Sequence, residues 1–377
     1  MKYNLLKFSF ILLLFCVNSC IEPFSPPEVN SDEKYLVIDG FLNAGGDTSK
    51  IELRRTQNTN DGSSMTVETG AKISVEAESG TTYSFTEKGK GVYILPPAQV
   101  NTSGKYRLRV KINGGKEYLS DYVPVTSTPP IDSIGTVYDA GLDAMIIKVN
   151  THDPANATRF YKWKFEETYQ YTSAYYSSLV VDSKKNSIDY RNDDIHLCWK
   201  SAFSTNISLG STIKLSSDAI RDLPISVIPI STNKFYIKYS ILVKQFGLTQ
   251  DAFEYWTALA KTTQGTGTLF DPQPSQVTGN IKNTTNGQDL VFGYFSASTE
   301  ETKRLTITPR LGRYPTCMMP DTFDVVCNPL SKRQCGLETT SLLISYAGLR
   351  SEFILGAPPE CTDCRQQGGT LEKPSFW

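Results

Sequence analysis

Along much of this chain apolar and polar residues alternate with a period of two, the pattern of strands that bury one face. In "AKISVEAESGTTYSF" Ile73, Val75 and Ala77 share a face, Ser79-Gly80 supplies a turn, and the chain returns through Tyr83 and Phe85. The stretch "GKYRLRVKINGGKEYL" is clearer still. Tyr106, Leu108, Val110 and Ile112 fall on one side, and Asn113-Gly114 has the chemistry of a tight primed hairpin turn. Residues 35–38 form an apolar run closed by Asp39-Gly40. Short strands with turn signals about every 8–12 residues predict a β-sandwich, here over residues 32–128.

Pro129-Pro130 in "TSTPPIDSI" cannot continue a sheet interior and marks a boundary. A second sandwich is expected over residues 131–310. It has a strand at 146–149, a turn at Asp153-Pro154, and a strand on which Tyr161, Trp163 and Phe165 alternate. Trp163, on its third strand, is expected to plug the core. Residues 166–230 are polar and rich in Tyr and Ser, which predicts an insertion between strands. One stretch changes period. In "LTQDAFEYWTALAKTTQG" Thr249 can cap a helix, Asp251 suits its positive N-terminal end, and Ala252, Trp256, Leu259 and Ala260 make one apolar face. This predicts a helix over 249–264, stopped by Gly265 and Gly267, before strands resume through Val291 and Phe292. No repeat of fixed period is evident. The fold class expected is mainly β: two consecutive sandwiches of immunoglobulin/fibronectin type, one helical excursion and a disulfide-rich C-terminal segment, residues 311–377.

The first 19 residues do not belong to that fold. Lys2 and Lys7 precede an apolar core through Leu12, Leu13, Leu14, Phe15 and Val17, too short to span a bilayer as a mature helix, which takes about 20 residues. Val17, Asn18 and Ser19 then stand before Cys20 as in a bacterial lipobox, where the cysteine is acylated and becomes the new N-terminus. Cys20 is therefore expected to carry lipid, since a free thiol beside a cleavage site is a liability. Two or three acyl chains suffice for stable anchoring. Ile21 replaces the aspartate that retains many lipoproteins at the inner membrane, which favours the outer membrane. Pro23, Pro26 and Pro27 make residues 20–31 a semi-rigid tether.

Loss of that leader removes two lysines and leaves 36 basic residues against 39 acidic. No basic cluster exceeds Arg54-Arg55 or Lys184-Lys185, so nucleic-acid binding has no support. Beyond Cys20 six cysteines remain: Cys198, Cys317, Cys327, Cys335, Cys361 and Cys364. An even number in an oxidising compartment points to as many as three disulfides, with about 15 possible pairings. Cys361 and Cys364 have redox spacing, but Pro358-Pro359 before them and Gln366 to Gly369 after them do not make the strand-to-helix turn that redox chemistry uses. A structural disulfide is the better reading, ahead of zinc. His152 and His196 are the only histidines, and neither a G-x-S-x-G elbow nor an H-E-x-x-H motif is present. No catalytic residue, metal or cofactor is assigned, and the chain is expected to bind rather than to catalyse.

Tyr169, Tyr171, Tyr175 and Tyr176 in "YQYTSAYYSS" are candidates for contact with a partner or a sugar, because tyrosine offers a large amphipathic ring at little rotamer cost. Packing within their own domain is the equal alternative. Phe376 and Trp377 end the chain and are expected to dock into a groove, more naturally of this chain than of a partner. Asp132-Ser133-Ile134 fits a short O-glycosylation pattern, with Ser133 as the acceptor.

Several stretches together carry a resemblance. "LFDPQPSQVTGNI", "VFGYFSAS", "PPECTDCRQQGGTLEKPSFW", "CIEPF", "YLVIDGFLN" and "PPIDSI" resemble the Bacteroidota lipoprotein family catalogued as domain of unknown function 4249. The likeness covers nearly the whole mature chain. It implies no catalytic residues. It does imply companionship with an outer-membrane β-barrel, in particular a TonB-dependent receptor, and so an accessory or substrate-capture role with a glycan or peptide as possible ligand. A structural subunit of an outer-membrane assembly or secretion machine is the rival expectation, and an enzyme acting on glycans or peptides the third.

Overall fold

The computed structural model describes residues 34–57, 66–182, 187–264, 277–287, 289–312, 315–324, 342–348 and 353–377. Cys20 and the tether, like Cys327 and Cys335, lie outside the described residues. The fold is mainly β, as expected.

The first sandwich is built on the faces that alternation marks out. Ile73, Val75, Tyr106, Leu108 and Val110 are all buried, facing Leu36, Ile51, Leu53 and Tyr93 of the opposite sheet. Fully burying such a side chain stabilises by about 1.5–3 kcal/mol. One sheet runs in the order Val291–Phe292, Leu36–Gly40, Ser49–Arg55, Val92–Leu95, Thr86–Gly89. The other runs Leu42–Asn43, Ala297–Ser298, Val123–Thr126, Lys105–Lys111, Lys72–Ala77, Thr82–Ser84, with Glu117–Ser120 also pairing Lys105–Lys111. Two expectations change here. Ile281–Asn283, Val291–Phe292 and Ala297–Ser298, expected in the second sandwich, hydrogen-bond into the first. The chain leaves this sandwich at the linker and returns to complete both of its sheets. The hairpin after Lys111 also differs: Gly114 and Gly115 take the positive φ values (89° and 87°), while the Asn113 side chain donates to the Thr69 carbonyl. A two-residue turn would need Asn113 left-handed, and the paired glycines make a longer loop less strained.

The second sandwich packs Ile131–Asp139, Ala144–His152 and Ala219–Pro229 against a sheet ordered Leu197–Phe203, Phe160–Thr172, Lys238–Gly247, Glu300–Ile307. Ser208–Ser211 pairs the near end of Phe160–Thr172. Trp163 plugs the core at 1% exposure, stacked on Tyr161. Most of the expected insertion 166–230 belongs to these sheets. Only residues 173–196 leave them, through a hairpin of Leu179–Asp182 and Ser187–Tyr190. Its Leu179 and Val181 pack on Leu343 and Ile354 of a small C-terminal sheet formed by Asp321–Asp324, Phe353–Ala357 and Leu342–Ala347. The insertion thus covers a third module.

Two disulfides join described cysteines, Cys198 to Cys364 and Cys317 to Cys361. The C-x-x-C pair is therefore structural, and each sulfur bridges away from the other. Cys361 ties the module to itself, and Cys364 ties it to the second sandwich across 166 residues of sequence.

Candidate functional site

The linker that joins the sandwiches is held on every side. Thr128 donates from its backbone to the Thr299 hydroxyl (2.8 Å) and from its own hydroxyl to the Thr299 carbonyl (2.5 Å), while Gly247 N–H donates to the Thr128 hydroxyl (2.9 Å). Gln245, fully buried, donates to the Pro129 carbonyl and the Thr151 hydroxyl and accepts from the Trp163 indole, at 2.7, 2.9 and 2.8 Å. All the polar atoms in this knot are satisfied, so burying them costs little and sets one geometry. Across the same junction Phe41 meets Phe246 edge-to-face at 4.9 Å, and Asp39 faces Lys164 at 3.7 Å.

Between the sandwiches lies a cleft of about 770 Å³, roofed by the helix. That helix, Gln250–Thr263, starts where predicted: the Thr249 hydroxyl accepts from Ala252 N–H at 3.3 Å. Ala252 and Tyr255 are buried, and Trp256 and Leu259 turn toward the cleft beside Val37, Phe292 and Val277. Gly293 seals the inner wall. With φ of +130° and an added Cβ only 2.0 Å from the Ile38 carbonyl oxygen, the position admits no other residue without movement. A second cavity of about 640 Å³ adjoins, sharing Asp39, Lys162, Lys164 and Ser204 with the first. Its wall carries Lys50 paired to Glu52 (2.5 Å), Arg54 paired to Glu52, and Lys244 facing Glu300 (3.5 Å).

Lys162 stands apart from these pairs. It is 9% exposed, lines both cavities, and its ammonium sits 3.8 Å above the Trp256 ring and 5.5 Å from that of Phe246. Among the described residues no carboxylate or carbonyl accepts from it. Burial, reinforced by the Lys164 ammonium and opposed by Asp39, pulls its amine down to about 7. Burial likewise pushes the Tyr255 hydroxyl up to about 12. Sequence reading missed this site. The available signal was "FYKWK", where lysines occupy what should be the exposed face of a strand in an otherwise aromatic run.

The residues singled out earlier fall elsewhere. Tyr169 and Tyr171 are 7% and 1% exposed in the core of the second sandwich, and the Tyr171 hydroxyl donates to the Cys364 carbonyl (2.7 Å). They are corrected as partner contacts, because β-alternation points them inward with Trp163. Tyr175 donates to the Met318 carbonyl, which leaves Tyr176, 52% exposed and edge-on to His196, open to solvent. Phe376 and Trp377 dock on their own chain, Phe376 under the Arg304 guanidinium (3.6 Å) and Trp377 under Lys238 (4.5 Å). Ser133 is exposed at a β-bulge and accepts from the Asn150 amide. His152 pairs with Asp132 at 2.8 Å on the surface. The His196 Nδ1 lies 2.9 Å from the hydroxyl of Ser173, which is fully buried with the Tyr175 and Thr362 carbonyls each 3.0 Å from its oxygen, so this cluster pins the insertion to the C-terminal module. Cys361 and Cys364, both in disulfides, have no sulfur free for zinc. Among the described residues no group of three or more His, Cys, Asp or Glu could hold a metal, and no helix is long and apolar enough to cross a membrane.

Fold and cleft together define a two-sandwich β protein with a ligand-sized space at its internal junction. The family model for Domain of unknown function (DUF4249) matches residues 21–304, and the chain belongs to that family. No curated protein matches it. Among solved structures, the adhesin InvE of Yersinia pseudotuberculosis aligns over 85% of this chain and 73% of its own at 11% identity. Its TM-score is 0.18, too low to support any argument about fold or function.

Proposed function

We propose that this chain is a lipid-anchored protein of the bacterial outer-membrane surface that captures a ligand for a TonB-dependent β-barrel transporter. The observation that carries the reading is the cleft between two sandwiches whose linker is fully hydrogen-bonded, a preformed space of the size small ligands occupy. The lipobox pattern ending at Cys20 supports the anchor, and the proline-rich tether supports display away from the headgroups. Two partners anchored in one membrane gain effective concentration, so a modest interface suffices. The exposed Tyr176 and the Ser133 bulge are the surfaces this reading offers to a partner and to a glycan.

Affinity capture of the tagged chain from crosslinked cells, with mass spectrometry of what it brings down, tests the reading. A receptor barrel is the expected partner. Recovery of an assembly or secretion barrel instead would move the chain to a structural role, and an unmodified Cys20 in the mature protein would remove the anchor.

A further inference from the structure

The cleft that this reading uses for capture has a chemical preference of its own. Its walls are largely apolar: Val37, Ile38, Trp256, Leu259, Val277 and Phe292 face the space. Of its charged groups, Lys164 and Asp39 satisfy each other at 3.7 Å. In the adjoining cavity Glu52 answers Lys50 and Arg54, and Glu300 answers Lys244. Among the described residues, Lys162 alone of the cleft cations has no anion within ion-pair distance. It is more than nine-tenths buried and lines the cavity on both sides. Trp256, in the same wall, has an indole N–H that is buried and without an acceptor among the described residues. A buried donor without a protein acceptor is costly unless something else accepts from it, and two such donors share this largely apolar wall. The rings of Trp256 and Phe246 offset part of the cost by cation–π attraction, but they leave the ammonium's own hydrogens unused.

From this we infer that the cleft binds an organic acid, a carboxylate on an apolar body, with the carboxylate held by the Lys162 ammonium and the body lodged against Trp256, Leu259 and Phe292. A charge-assisted hydrogen bond between largely apolar walls is among the strong kind. Neutral amides or alcohols of the same shape leave the ammonium unpaired and bind more weakly. With Lys162 titrating near 7 in the empty cleft, a bound carboxylate raises its affinity for protons. Binding therefore takes up a proton around neutral pH and weakens as pH rises toward 9. Lys164 and Asp39, which face each other at 3.7 Å, are the charged groups whose fields act on it.

The inference rests on the capture reading, and one experiment separates their failures. The purified full-length chain in lipid nanodiscs is titrated calorimetrically, with empty nanodiscs subtracted, against 4-phenylbutyrate, its amide, N-acetyl-Phe-Phe and the C-terminal amide of that peptide. The acids are expected to bind at least 10-fold more tightly than their amides, with a heat that depends on the ionisation enthalpy of the buffer. Preference for phenylbutyrate marks a small free acid as the ligand, and preference for the dipeptide acid marks a peptide C-terminus. Lys162→Met, checked for folding by circular dichroism, loses the acid–amide difference, and Lys162→Arg keeps most of it. Equal binding of acid and amide to the wild type overturns the anion preference but leaves the cleft as a capture site. Binding of neither overturns both.

Discussion

The two sandwiches are closed by different means. The first has an almost wholly apolar interior and is completed by strands that arrive about 150 residues after it has apparently ended, pairing Val291 with Leu36 and Ala297 with Leu42 and Val125. The second has a polar knot at its centre, Gln245 bonded to Trp163, Thr151 and Pro129, and a disulfide at its far edge. The difference shows which is the dependent partner. The first sandwich cannot be cut free at the linker, because strands of both its sheets come from residues 281–298, inside the sequence span of the second. The second grips linker and tail alike and acts as the frame.

That contrast can be broken in graded steps. Replacing Cys198 and Cys364 together by serine removes the tie to the C-terminal module, and the loss expected is about 2–5 kcal/mol for a long closed loop. Limited proteolysis should then clip the module first, and simultaneous loss of the N-terminal sandwich would count against the frame assignment. Gly293→Ala drives a methyl group into the Ile38 carbonyl at a positive φ and is expected to cost about 3 kcal/mol, read from the urea midpoint. Its effect belongs to the first sandwich. Gln245→Leu strands the Trp163 indole and the Pro129 carbonyl in the other, for about 2–3 kcal/mol, with a red shift in tryptophan emission as the knot opens.

A stabilising change sharpens the same picture. Lys162 has its amine lowered from 10.5 to about 7, so the unfolded chain binds more protons between those values and wild-type stability rises with pH across that window. Lys162→Met should therefore stabilise the protein by about 2 kcal/mol at pH 6, with the gain shrinking toward pH 10. Melting curves at both ends of the range decide it, and a gain independent of pH would mean that burial of the charge was not the cause. The smallest effect belongs to the tail. Arg304→Ala removes the cation over Phe376 and should cost less than about 1 kcal/mol, while raising hydrogen exchange at residues 375–377.

Much of this could be read before any coordinates. Ile73, Val75, Tyr106, Leu108, Tyr161 and Trp163 sit on buried faces because a two-residue period has only one way to place them against a core. Thr249 begins the helix because its hydroxyl can satisfy an N–H that the first turn leaves bare. The same alternation misled for residues 166–172. There Tyr and Thr looked like an exposed, decorated insertion, and the strand in fact continues to Thr172 with Tyr169 and Tyr171 inward. Of the binding candidates, Tyr169 and Tyr171 fall in the core, where their own-domain packing was the equal alternative.

What the amino-acid order determined by itself is therefore local: which residues alternate, where the helix is capped, where proline ends a sheet, and which cysteines exist to be bridged. The tertiary structure decided the partners. Pairing of Val291 with Leu36, of Cys198 with Cys364, and of Lys162 with the rings of Trp256 and Phe246 joins residues 84 to 255 positions apart. No local rule specifies such partners, since backbone hydrogen bonds and apolar contacts are indifferent to sequence distance once the loop between them has closed. The face that put Lys162 opposite Trp163 was legible. That a helix and another sandwich would cover it, turning a surface lysine into a buried cation against aromatic rings, was not.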